Sequence, residues 1–164
     1  MKSIDHPIFH ESICYIQARL DDTGFDEIQQ QVLERLIHTS GDFGIQSLLK
    51  FSNDACEAGL LALRAGAPII TDTYMASAAI TPMAKRTLNT SVNCALDWVT
   101  NESDCEGLTR TAIGMKKACI ELSNKFSKEK SPIIVIGSAP TALITVLDLI
   151  AGNCCVPNLI IGMP

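Results

Sequence analysis

Apolar side chains at Phe9, Ile13, Ile16 and Leu20 recur at the spacing of one helix face, which predicts a first helix over Phe9 to Leu20. Thr23-Gly24 breaks the pattern. Phe25, Ile28, Val32, Leu33 and Leu36 restart it as a second helix over Phe25 to Ile37, ending near Gly41, a residue suited to a left-handed cap. Asn53 or Asp54 then caps a third helix through Ala65, with Glu57 in its first turn and Gly66 after its end. From there the texture changes. Short continuous apolar runs at Ala67 to Thr71, Val92 to Leu96, Ile133 to Ile136 and Leu159 to Ile161 read as strands buried on both faces. Between them lie a short segment around Met75 to Leu88, a helix over Leu108 to Phe126 and another over Pro140 to Ile150. Strands alternating with helices imply crossover connections. The expected fold is therefore α/β, one domain over residues 1–164 with a largely parallel sheet flanked by helices and a helical N-terminal third.

Composition narrows the class. A chain of 164 residues, 47% hydrophobic and 19% charged, fits a soluble domain and excludes disorder and collagen. A globule of this size buries roughly 70% of its extended-chain surface, enough for a core without metal or disulfide staples. With aromatic residues at only 5%, that core must be aliphatic. The net charge of -5 argues against coating nucleic acid, so any anionic ligand needs locally placed arginines.

The longest apolar stretches are interrupted by Gly137, Ser138, Pro140 and Asp148, which argues against a membrane span. The N-terminus carries Asp5 and Pro7 where a signal peptide needs an apolar run, and a cytoplasmic location is expected. In that compartment the seven cysteines, odd in number and without a Cys-x-x-Cys pair, read as reduced, buried thiols rather than disulfides or metal ligands. Lys125 to Lys130 reads as a solvated helix-to-strand turn.

Four features carry candidate chemistry. Gly137-Ser138-Ala139-Pro140-Thr141 follows the clearest strand and opens a helix, where backbone N–H groups offer a rest for an oxygen anion or carboxylate; the plainer reading is a strand-to-helix turn. His38 projects opposite the apolar face of the second helix and so is not a core residue. Near a helix C-terminus, unpaired carbonyls favour imidazolium, which suits a proton donor, although an exposed helix-end histidine fits equally. Arg110 opens a helix whose dipole disfavours cations there; its planar fork suits a ligand carboxylate or an ordinary ion pair. Asp72, after the first strand, is a base or a helix cap, and the cap is favoured. His6 and His10 are assigned no role.

Taken together, Arg35-Leu36-Ile37-His38-Thr39-Ser40-Gly41-Asp42, Ala65-Gly66-Ala67-Pro68-Ile69 followed by Asp72, Gly107-Leu108-Thr109-Arg110-Thr111-Ala112 and Ile136-Gly137-Ser138-Ala139-Pro140-Thr141-Ala142-Leu143 resemble the precorrin-8X methylmutase family over nearly the whole chain. Each stretch is weak alone; four in the family's order are specific. Leu159-Ile160-Ile161-Gly162-Met163-Pro164 also fits. That family continues into a Gly-rich, Glu-Ser-Lys-containing segment, so the sequence reads as a C-terminally shortened member. Ser138 stands where the family usually has Asn and Arg19 where it often has Glu, and Tyr74 and Ala79 also differ from the usual residues.

The resemblance implies a cofactor-free isomerase, without a metal of its own, that moves a methyl group from C11 to C12 of a tetrapyrrole to give hydrogenobyrinate or its cobalt analogue. It assigns His38 as proton donor and acceptor, and Ser12, Arg35, Thr81 and Arg110 as substrate contacts beside the loop residues Gly137, Ser138, Ala139 and Thr141. It further implies a homodimer with its pocket near the subunit contact. In this reading, His38 faces a hollow that accepts the macrocycle. Two other readings remain: a non-catalytic corrinoid-binding homologue, and an α/β module binding a small phosphate or carboxylate at the Gly137 to Thr141 loop.

Overall fold

The structure, a computed structural model, describes residues 6–88, 90–99, 107–127 and 130–163. Cys105 and part of the charged turn at 125–130 lie outside the described residues. The chain forms two compact units, Met1–Cys56 and Glu57–Pro164.

The first unit is helical. Helix α1 spans Pro7–Gln17, with Pro7 pre-set for its first turn and His6 at the N-cap. Helix α2 spans Glu27–Ser40. Its start is a capping box: the Asp26 side chain accepts from the amides of Ile28 and Gln29 while Gln29 reaches back to Asp26. Its end is Gly41 at φ 71°, the left-handed cap expected from the sequence. Ile16, Leu33 and Ile37 are buried between the helices, with Ile13, Leu20 and Phe25 packed around them. Side-chain contacts pair Ser12 with His38 and Gln17 with Glu34, so α1 and α2 run antiparallel. Glu34 is buried but satisfied, accepting from Gln17 at 3.0 Å and Gln30 at 3.2 Å. A single turn, α3 at Ile45–Leu48, was not anticipated.

The second unit holds a four-stranded, fully parallel sheet. The strands are β1 (Ile69–Thr71), β2 (Val92–Cys94), β3 (Ile133–Ile136) and β4 (Leu159–Gly162), in the order β2-β1-β3-β4. Helix α4 (Ala55–Arg64) leads into β1, α5 (Tyr74–Thr87) joins β1 to β2, α6 (Arg110–Lys125) precedes β3 and α7 (Pro140–Ala151) joins β3 to β4. The central runs of β1 and β3 read as continuous because both their faces are covered, whereas the edge strand β4, expected to be buried on both faces, is only partly covered and leaves Ile161 exposed. Ile70, Ile134 and Ile136 pack on Met115, Ala118, Ala142 and Val146 of α6 and α7. Ile69 and Ile133, alternating with them, pack on Ala62 of α4 and Ile80 of α5.

Two expectations shift. The segment from Met75 to Leu88 is a full 14-residue helix that carries Pro82 within it. The run from Val92 to Leu96 is a strand only to Cys94, then a single 3-10 turn at Ala95–Trp98. Gly114 explains that turn's seat: a Cβ there would overlap the Ala95 carbonyl, so only glycine lets α6 approach it. Among the described residues no helix is long and apolar enough to cross a membrane.

Candidate active site

In the first unit the antiparallel helices bring Ser12, Arg35 and His38 together. His38 sits in the last turn of α2 and is exposed, as its position on the helix wheel implied. Its Nδ1 lies 2.7 Å from Ser12 Oγ on α1. Phe9, read from the sequence as one more apolar-face residue, is the unexpected member. Its ring stands edge-on to the His38 imidazole with centroids 4.9 Å apart, and the Arg35 guanidinium carbon lies 4.5 Å from its centre. Phe9 and Arg35 also line a cavity of about 160 Å³ together with Ile13, Gln31 and Glu34. That volume is below the 300 to 1,000 Å³ of ordinary ligand sites, so this cavity by itself is too small for a macrocycle. His38 is beside that cavity and not among its lining residues.

In the second unit the candidate residues gather at the carboxyl ends of the strands. The connection after β1 runs on one face and that after β3 on the other, which makes the gap between β1 and β3 the topological switch point. Asp72 and Gly137 flank it. The loop does not hold an empty anion cradle. Asp72 Oδ2 accepts from the amides of Gly137 at 3.1 Å, Ser138 at 2.8 Å and Ala139 at 2.9 Å. The expected rest for a ligand oxygen is therefore filled by the protein's own carboxylate, which removes the basis for the small-anion reading. Asp72 is not the helix cap favoured from the sequence, since the helix that follows it has Thr73 as its N-cap; its carboxylate instead holds the turn before α7. That role of Asp72 was not readable from spacing, since its partners lie 65 to 67 residues away.

Thr141 Oγ1 is 2.7 Å from Oγ1 of Thr109, which in turn accepts from the Ala112 amide and caps α6 immediately before Arg110. Arg110 is exposed. Tyr74 donates to Asp97 Oδ1 at 2.8 Å. That bond, with smaller contributions from burial and the Asp97 charge, holds the phenol above its ordinary range, while Arg110 draws it slightly down. Thr81 is partly buried on α5, its hydroxyl donating to the Ser77 carbonyl at 2.7 Å. The sequence-derived site residues thus form two groups, Ser12, Arg35 and His38 in one unit and Arg110, Gly137 to Ala139 and Thr141 in the other, with Thr81 apart on α5.

A family model described as precorrin-8X methylmutase matches residues 7–164. The chain belongs to the precorrin-8X methylmutase family. As a methylmutase of that family it is an isomerase, and the match spans every site residue named above. Its relatives include the cobalt-precorrin-8 methylmutase of Synechocystis sp., 32% identical over all of this chain and 78% of that protein. The precorrin-8X methylmutase of Pseudomonas aeruginosa is 31% identical over 96% of this chain and 73% of its own length. The fold agrees with the crystal structure of a precorrin-8X methylmutase from Thermus thermophilus, at a TM-score of 0.82 and 29% identity over 96% of this chain and 73% of that one.

Proposed function

We propose that this chain moves the C11 methyl group to C12 of precorrin-8X or cobalt-precorrin-8, with His38 exchanging the proton that activates the macrocycle. Protonating a ring nitrogen draws electron density from the conjugated system and lowers the barrier to a sigmatropic shift of the methyl group. The observation that carries this reading is the 2.7 Å pairing of His38 Nδ1 with Ser12 Oγ. With Nδ1–H donating to the Ser12 hydroxyl oxygen in both the cationic and the neutral ring, Ser12 holds the imidazole in place while the proton leaves and returns at Nε2. Nε2 is left for the substrate. Arg35 and Arg110 supply the cationic forks that substrate carboxylates need, which reconciles an acidic chain with an anionic ligand. Thr81, Ser138 and Thr141 complete the substrate contacts. A cytoplasmic homodimer, with the substrate enclosed near the contact between subunits, belongs to the same reading.

The test is conversion of precorrin-8X followed by visible absorption. His38→Ala is expected to lose at least about 100-fold in kcat, within the range of a general acid–base group, while still binding hydrogenobyrinate. Undiminished turnover in His38→Ala refutes the assignment. Tight hydrogenobyrinate binding by the unaltered chain with no isomerisation selects a non-catalytic corrinoid binder instead.

A further inference from the structure

We propose that Asp72 is the positioning residue of the second unit: its buried carboxylate, gripped by three loop amides, sets the turn that presents Ser138, Thr141 and Arg110 to the substrate. The inference rests on the functional reading above. Its structural basis is independent of that reading.

Asp72 is wholly buried at the end of β1, where an unpaired carboxylate is costly. Three N–H bonds from Gly137, Ser138 and Ala139 converge on Oδ2 alone. Among the described residues Oδ1 has no hydrogen-bond partner, and it faces Gly137, where even an added Cβ would stand 3.7 Å away. A carboxylate serving only to neutralise local polarity would spread its bonds over both oxygens. Here all of them fix one short stretch of backbone, that of the loop at the switch point. One of the three amides is that of Ser138 itself.

The fixed turn then leads directly into α7, and its Thr141 hydroxyl contacts Thr109 at 2.7 Å. Thr109 caps α6, whose first residue is Arg110. A continuous series of contacts thus runs from one buried carboxylate to the candidate ligand-facing groups on two helices. Because the loop amides are already spent, anionic substituents of the substrate must be met by side chains, above all Arg110. Asp72 touches no substrate in this scheme and acts only through the loop.

The experiment compares the full chain with Asp72→Ala and Asp72→Asn, using amide hydrogen exchange together with hydrogenobyrinate titration and precorrin-8X kinetics. In Asp72→Ala the amides of Gly137, Ser138 and Ala139 should lose protection while those of Ile134 and Val146 keep theirs. The Kd for hydrogenobyrinate and KM for precorrin-8X should rise about tenfold, the loss of roughly one charge-assisted hydrogen bond, with kcat changed by less than about threefold. Asp72→Asn keeps an acceptor without the charge and should fall between the two, which preserves the test if the alanine variant does not fold. Released amides with unchanged Kd and KM overturn the proposal, because the carboxylate would then only support the fold; amides that stay protected in Asp72→Ala overturn it as well. Failure of the unaltered chain to bind hydrogenobyrinate sinks the functional reading, and the exchange pattern still decides whether Asp72 sets the turn.

Discussion

Phe9 touches both Arg35 and His38 through a single ring, and this makes it sensitive in a way its half-buried position does not suggest. An edge-to-face aromatic pair contributes about 1 kcal/mol beyond its buried area, and an exposed cation–π contact somewhat less. Phe9→Leu keeps apolar volume but removes both ring contacts. Its kcat/KM for precorrin-8X is expected to fall about five- to tenfold, the kinetic equivalent of about 1 kcal/mol, with folding retained by circular dichroism. A fall no greater than twofold would show that the ring does not orient these groups. Cysteines give a second prediction at this scale. The neighbouring Cys119 thiol draws the Cys155 thiol down against the opposing effect of burial, and the Ser123 hydroxyl, donating to Cys155 Sγ at 3.3 Å, adds to the lowering. Yet Cys155 is only 2% exposed, whereas Cys14 and Cys154 are open to solvent. Among the described cysteines, alkylation of the native chain near neutral pH should therefore modify Cys14 and Cys154 first and reach Cys155 only on unfolding. Early modification of Cys155 would mean that the loop before β4 opens readily.

At the scale of elements, capping and close approach decide more than helix propensity. Asp26→Ala removes the side chain that accepts two amides at the start of α2, and a loss of about 1 kcal/mol in unfolding free energy is expected. Gly114→Ala should cost more, about 1 to 3 kcal/mol by denaturant titration, because the new methyl group collides with the Ala95 carbonyl and α6 must retreat. A neutral Gly114→Ala would mean that the 3-10 turn yields without cost. These two positions also mark what sequence reading can reach. The box at Asp26 and the left-handed Gly41 are local, coded within a few residues, and so the ends of α2 were readable to within two or three residues. All four strands were readable from their apolar runs, but burial on both faces holds for the central strands β1 and β3 and not for the edge strand β4, which leaves Ile161 exposed. The last two residues of the Val92 to Leu96 run were misread because an apolar run does not reveal where the ladder ends. The site divides along the same line. His38 was placed off the core by its own helix, and its neighbours Ser12 and Arg35 came through the family's sequence pattern. Phe9's double contact and Asp72's grip on the β3–α7 turn depend on partners distant in sequence, which no local spacing encodes.

For the whole molecule, the size of each core sets how readily each unit opens. In Met1–Cys56 the fully buried apolar centre is Ile16, Leu33 and Ile37, a small core for a helical segment of that length. In Glu57–Pro164 the parallel sheet buries Ile70, Ile134 and Ile136 under α6 and α7, with a second cluster on the opposite face. Cooperative units with fewer buried contacts open at lower free energy, and ligand-binding elements are often drawn from them. Native-state hydrogen exchange should therefore show amides of α2, such as Leu33 and Ile37, exchanging through an opening several kcal/mol below that of Ile70 and Ile134 in the sheet. Hydrogenobyrinate should narrow this difference. If it binds the closed form of the first unit, protection of α2 rises by about 2.7 kcal/mol when free ligand stands at 100 times Kd, and grows with the logarithm of free ligand. Equal protection of α2 and the sheet without ligand would mean that the helical unit opens only when the whole chain unfolds. A ligand that binds yet leaves α2 unchanged would place its contacts elsewhere than Ser12, Arg35 and His38, and the proton-transfer role of His38 would fall with them.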